Sequence, residues 1–168
     1  MTATISRPKI SNWETSNIPN LTGKTALITG ANSGLGYYTA KAFAEKNAHV
    51  VIACRSLEKA NQTIKKLKGL NPEGLFTPLE LDLSDLKNIV EVQSKIFDNF
   101  ENLDLLINNA GIMHPPKTLS AQGYEIQFAV NHLAHMLLTL KLLPIIEKKE
   151  ESRIVTVTSG AQFFGKVG

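Results

Sequence analysis

The chain has 168 residues and a net charge of +3, from 18 Lys and Arg against 15 Asp and Glu. With 43% apolar and 20% charged residues it has the composition of one globular domain, not of a disordered segment. The charge excess is small and dispersed, which argues against nucleic-acid binding, and the single Cys54 excludes an internal disulfide framework.

Arg7 and Lys9 precede no apolar core, because Ile10-Ser11-Asn12-Trp13-Glu14 interrupts it, so no secretion signal is expected. Pro8 would break an amphipathic presequence helix. A cytoplasmic location follows as the expectation, and no uninterrupted apolar run has the length of a membrane span.

In chain order, Lys24–Thr29 predicts a first strand, and Leu35, Tyr38, Ala42 and Phe43 then recur at helical spacing. His49–Cys54 predicts the second strand and Leu75–Leu81 the third. Ile89, Val92, Ile96 and Phe100 mark a helix, followed by a fourth strand at Leu103–Ile107. Ile126, Val130, Leu133, Leu137 and Leu140 step by 4, 3, 4 and 3, which reads as one apolar stripe of a long helix that nears its end at Pro144. Arg153–Thr158 is the fifth strand. The second, fourth and fifth runs are nearly continuous in Val, Ile and Leu, as strands covered on both faces are.

Strands alternating with helices predict an α/β fold, a Rossmann-type doubly wound parallel sheet of five strands in the order 3-2-1-4-5. Pro78 cannot donate to a ladder, which places the third strand at an edge. Residues 1–20 read as an N-terminal arm and 21–168 as an incomplete nucleotide-binding domain.

The first strand runs into Thr29-Gly30-Ala31-Asn32-Ser33-Gly34-Leu35-Gly36. Gly30 suits a tight turn, Gly34 a close approach to a pyrophosphate, and Gly36 close packing of helix on sheet. The helix N-terminus presents N–H groups to phosphate. At the end of the second strand, Ala53-Cys54-Arg55-Ser56 holds no acid for a ribose 2′-hydroxyl. The Arg55 guanidinium and the Ser56 hydroxyl suit a 2′-phosphate instead, which predicts NADP over NAD. Glu58 falls in the following helix.

These motifs, with Leu81-Asp82-Leu83, Asn108-Asn109-Ala110-Gly111, Val130-Asn131-His132 and Arg153 to Ser159, resemble the short-chain dehydrogenase/reductase family over residues 21–168. The Ile52-Ala53-Cys54-Arg55-Ser56 stretch and Asn131-His132-Leu133-Ala134-His135 resemble its retinol-dehydrogenase-like and WW-domain-oxidoreductase-like branch. The arm from Trp13 to Pro19 resembles bacterial and fungal members.

The resemblance implies an NADP-dependent oxidoreductase that passes a hydride between nicotinamide and a carbonyl or alcohol substrate. Gly30, Asn32, Ser33, Gly34, Leu35 and Gly36 would hold the pyrophosphate. Asp82 would contact the adenine with Leu83 beside it, and Asn109, Ala110 and Gly111 would lie along the ribose. Asn108 would bond across the central sheet. Ser84 is the better cap for the next helix. Ser159 resembles the catalytic serine, its neighbour Thr158 being the strand residue by alternation, and Asn131 the catalytic asparagine that holds a relay water.

The family's Tyr-x-x-x-Lys pair does not follow Ser159 among the nine residues after it. Tyr37 and Lys41 match by letters but belong to the phosphate-binding helix. The expectation is therefore a fragment of a longer enzyme, with an exposed fifth strand, marginal stability, and weak or no catalysis of its own. The alternative is a non-catalytic NADP-binding or interaction module.

Met113, His114, Pro115, Pro116, Gln162, Phe163 and Phe164 are candidate pocket residues. The resemblance also implies a homo-oligomer through the long helix. His132 with His135, and Glu45 with His49, are spaced for ligation on a helix but lack a third convergent ligand, so no metal is expected. Cys54 reads as packing.

Overall fold

The computed structural model describes residues 12–160. Five strands, β1 (Thr25–Thr29), β2 (His49–Cys54), β3 (Leu75–Glu80), β4 (Leu105–Asn108) and β5 (Arg153–Thr156), form one sheet in the order β3-β2-β1-β4-β5. Every pairing is parallel. Helices α1 (Gly34–Ala44), α2 (Leu57–Leu70), α3 (Leu86–Asn99) and α4 (Ile126–Ile146) make the crossovers.

Because side chains alternate along a strand, the sheet feeds two cores. Leu27, Val51 and Leu106 point to the layer holding Ile89, Ile96, Leu138 and Leu142 of α3 and α4. Ile28, Val50, Ile52 and Ile107 point to the layer holding Ala40 and Ala44 of α1 and Ala60 and Leu67 of α2. Pro78 lies on the edge strand, in register with Ile52, as its missing N–H requires.

The structure corrects the sequence reading in several places. The buried face of α1 is Gly36, Ala40 and Ala44, whereas Leu35 and Tyr38 are exposed. Small residues every fourth position let this helix lie close on the sheet, so its bulky residues face outward.

The stripe on α4 is also displaced. An α turn at Ile126–Phe128 passes into a π turn at Ala129–Leu133 before α-helix resumes at Ala134–Ile146. The extra residue in the wider turn rotates the buried face onto Val130, Ala134, Leu138, Leu142 and Ile145 and leaves Leu140 exposed. As a unit α4 has the length and composition of a membrane span, but Leu138 and Leu142 are fully buried against the sheet layer.

All four residues of β5 are exposed, so β5 is not covered on both faces as β2 and β4 are. The strand ends at Thr156, which puts Thr158 beyond it. Glu45 caps α1 while His49 opens β2, so this pair shares no helix.

Asp104, at the N-terminal ends of three strands, fastens them together. Its Oδ2 accepts from Thr25 N at 2.9 Å, its own N–H donates to Thr25 O at 3.0 Å, and its carbonyl accepts from Arg153 N at 2.8 Å. Lys24 Nζ lies 3.2 Å from Oδ1. Replacing Asp104 by Ala removes the partner of the half-buried Thr25 N–H and the counter-ion of Lys24. The expected loss is about 1–3 kcal/mol, read as a lower urea midpoint with an unchanged slope; an unchanged midpoint would contradict it.

Candidate functional site

At the C-terminal end of β1 the chain turns sharply. Gly30 has φ +65° and its N–H donates to Ala53 O at 2.8 Å. A Cβ on Gly36 would lie 2.5 Å from both Gly30 O and Asn109 Nδ2. Gly34 has φ +54°, and a Cβ there would meet nothing within 4 Å. Gly36 is thus fixed by packing and Gly34 by backbone conformation, with open space in front of it. Ser33 is the N-cap residue of α1, and its side chain makes no capping bond.

The turn is tied to the end of β4 through Thr29. Its Oγ1 accepts from Asn109 N and Ala110 N, both at 2.9 Å, and Asn109 Nδ2 donates to Thr29 O at 2.8 Å. The residue that bonds across the sheet is therefore Asn109. Asn108, assigned that task from sequence, turns toward α4 and donates to Thr139 Oγ1 at 3.0 Å.

Three adjoining hollows run over this end of the sheet, all bordered by Ala110 and Gly111. One, of about 410 Å³, is lined by Gly30, Asn32, Cys54, Arg55, Asp82 and Leu83. The second, of about 360 Å³, adds Ser33, Leu35 and Asn109. The third, of about 480 Å³, reaches Met113, Asn131, His132, Thr158 and Ser159. All thirteen cofactor-binding candidates except Gly34, Gly36 and Ser56 thus border the hollows, and so do Asn131 and Ser159. Gln162, Phe163 and Phe164 lie outside the described residues.

Several candidates have additional structural work. Ser56 caps α2, its Oγ accepting from Lys59 N at 3.3 Å. Asp82 Oδ1 accepts from Ser84 N at 2.8 Å and from Ser84 Oγ at 2.6 Å. That bond occupies Ser84, so the cap of α3 is not Ser84 but Asp85, which accepts from Lys87 N at 2.9 Å. Gln122 and the Lys87 N–H hold the Asp85 carboxyl below its ordinary range. Cys54 is buried, and burial raises its thiol pKa, which suits packing rather than nucleophilic attack.

Asn131 sits in the π turn of α4. Its Oδ1 accepts from Ile112 N and its Nδ2 donates to Ile112 O, both at 2.9 Å. One turn earlier, Gln127 Oε1 accepts from His114 N at 3.0 Å. The two amides clamp the loop after β4, where His114 has φ +50°. The Asn131 side chain is therefore committed to the loop.

Comparison with known proteins decides the family. The short chain dehydrogenase profile matches residues 24–168. The chain belongs to the short-chain dehydrogenase/reductase family. Human retinol dehydrogenase 13 is 40% identical over 145 residues, 86% of this chain and 44% of that protein. Human retinol dehydrogenase 11 is 37% identical over 161 residues, 96% of this chain and 51% of that protein. The chain thus spans about half the length of these curated relatives. Among solved structures, a short-chain dehydrogenase from Escherichia coli CFT073 complexed with NADPH superposes with a TM-score of 0.76 and 26% identity, covering 88% of this chain and 63% of that one.

In this family member, sequence reasoning passed over Thr29 and Gln127, and weighed His135 only as a metal-ligand partner of His132. Thr29 reads as an ordinary strand residue, and Gln127 as a helix-surface polar. The signal for His135 is a histidine at an interior position of an apolar helix, where a buried ring requires partners.

Burial lowers the pKa of His135 and of His49, which bonds Thr77 Oγ1 at 2.8 Å. The folded state keeps both rings neutral below the ordinary 6.5, while the unfolded chain takes up the protons. Their contribution to stability is full above that value and is lost as the pH falls through it. The urea midpoint should fall between about pH 7.5 and about pH 5.5; a flat profile in that window would contradict the assignment.

Proposed function

We propose that the cleft binds NADP(H), and that the protein transfers a hydride between the nicotinamide and a carbonyl or alcohol substrate. The observation that carries this reading is the row of hollows with the glycine turn at its centre, Arg55 toward one end and Ser159 toward the other. The open space at Gly34 and the uncapped start of α1 fit a pyrophosphate.

Residues 21–168 act as the nucleotide-binding unit. Gly30, Asn32, Ser33, Gly34, Leu35 and Gly36 form the phosphate cradle. Arg55 holds a 2′-phosphate as a charge-assisted partner, with the Ser56 hydroxyl hydrogen beside it. Asp82 and Leu83 border the adenine, and Asn109, Ala110 and Gly111 border the ribose. Ser159 donates to the substrate oxygen, and Asn131 positions a relay water. When bound, the cofactor supplies the hydride and the protein supplies orientation and polarity. The NADPH complex of the E. coli relative supports the choice of dinucleotide. A cytoplasmic setting and a small-molecule partner belong to the same reading.

The test is NADPH oxidation by the 168-residue chain with a panel of aldehydes and ketones. Turnover that is lost in Ser159→Ala supports the reading. Saturable NADPH binding with no turnover on any carbonyl would favour the dinucleotide-binding module.

A further inference from the structure

The buried imidazole of His135 borders the hollow that reaches Ser159 and also bonds Thr29, the residue that leads into the phosphate turn. The residue is 4% exposed. Nε2 lies 2.9 Å from Thr29 Oγ1, and Nδ1 lies 3.3 Å from the main-chain oxygen of Asn131.

Hydrogen bookkeeping at Thr29 fixes the direction of this chain. A hydroxyl has two acceptor lone pairs and one hydrogen. Asn109 N–H and Ala110 N–H fill both lone pairs. The hydrogen must therefore be donated, and the acceptors in reach are His135 Nε2 at 2.9 Å and Ile107 O at 3.4 Å. The shorter contact takes it. Nε2 is then an acceptor, so a neutral ring carries its proton on Nδ1, directed at Asn131 O.

We propose that His135 is a positioning residue: its neutral Nδ1–H tautomer accepts from Thr29 and donates to the Asn131 carbonyl, so that the π turn of α4 is registered against the dinucleotide turn. Two features make the bridge effective. The π turn opens the backbone where Asn131 lies, and Ala134 N–H bonds Ala129 O across it. The ring at His135 is one turn beyond, on the face that meets β1 and β4. A shift of the Asn109–Ala110 turn thus reaches Asn131 through three successive hydrogen bonds, onto Thr29 Oγ1, from it to His135, and from His135 to Asn131 O, with a rigid ring between the last two. The part that concerns cofactor rests on the NADP(H) reading above; the tautomer and the bridge do not.

The experiment is ¹⁵N NMR of the full 168-residue chain at neutral pH, with histidine rings assigned against His135→Asn. The expected wild-type result is a pyridine-type nitrogen at Nε2 of His135 and a protonated Nδ1. Thr29→Val, which removes the hydroxyl at nearly constant shape, should shift the Nε2 signal by taking away its donor and move the Asn131 backbone signals. His135→Asn, whose short amide places a donor near the Nδ1 position, should leave the Asn131 signals closer to wild type than His135→Leu does. An Nε2–H ring in the wild type would overturn the proposal. So would Asn131 signals that stay in place in Thr29→Val while those of Asn109 and Ala110 move. Adding NADPH should move the His135 ring signals. Absence of any NADPH shift across the whole spectrum speaks against the NADP(H) reading and leaves the tautomer result standing.

Discussion

Replacing Gly36 by Ala should remove dinucleotide binding and lower the Tm together. The added methyl would meet Gly30 O and Asn109 Nδ2 at 2.5 Å. Neither neighbour has an easy way to retreat. Gly30 O belongs to the backbone of the tight turn, and Asn109 Nδ2 is held by Thr29 O. Relief must come from pushing α1 away from the sheet, which disturbs the N–H groups at its start. Forced overpacking of this kind costs about 1–3 kcal/mol, a fall of roughly 2–12 °C in Tm for a chain of this size. Gly34→Ala is the informative partner, since its methyl points into open space. It carries only the cost of a left-handed φ in the fold, yet it still obstructs a phosphate. The pair separates packing from ligand contact: Gly36→Ala should lose both stability and binding, Gly34→Ala chiefly binding. Wild-type NADPH affinity in Gly36→Ala, by calorimetric titration, would contradict the account.

The second large effect is expected at Arg55. The proposed charge-assisted bonds to a 2′-phosphate contribute about 1.5–3 kcal/mol. Arg55→Asp replaces them with like-charge repulsion. NADPH affinity should fall by roughly a factor of 10–100, while NADH affinity holds or rises because a carboxylate can accept from a ribose 2′-hydroxyl. Arg55 is exposed and makes no ion pair among the described residues, so stability should change little. Unchanged NADPH affinity in Arg55→Asp would remove the basis for preferring NADP.

Much of this was legible in the sequence, and the remainder was hidden for identifiable reasons. Strand order followed from alternating strand and helix patterns, and Pro78 marked the edge because a missing N–H is a property of the residue itself. Gly30 and Gly34 were legible because their positive φ suits glycine, and Gly36 because no Cβ fits between α1 and the turn. The face of α1 was not, because hydropathy weights Leu35 and Tyr38 above Gly36 and Ala40, while close approach to a sheet rewards small residues. The predicted face of α4 holds at Ile126, Val130 and Leu137, which pack on the core, but not at Leu140, because a constant period cannot register a π turn. The Thr29–His135–Asn131 chain spans 106 residues between Thr29 and His135, and no local pattern reports a contact of that range. Asp85 rather than Ser84 caps α3 because neighbouring polar residues can each cap, and only the bond of Ser84 to Asp82 chooses between them.

The most direct measurement is a side-by-side titration of the 168-residue chain with NADPH and NADH, with backbone amide signals followed by NMR. The account predicts saturable NADPH binding, tighter than NADH, with the largest shifts at residues 30–36, at Arg55 and at 109–111. Binding of neither dinucleotide, or shifts centred away from the glycine turn, would contradict it.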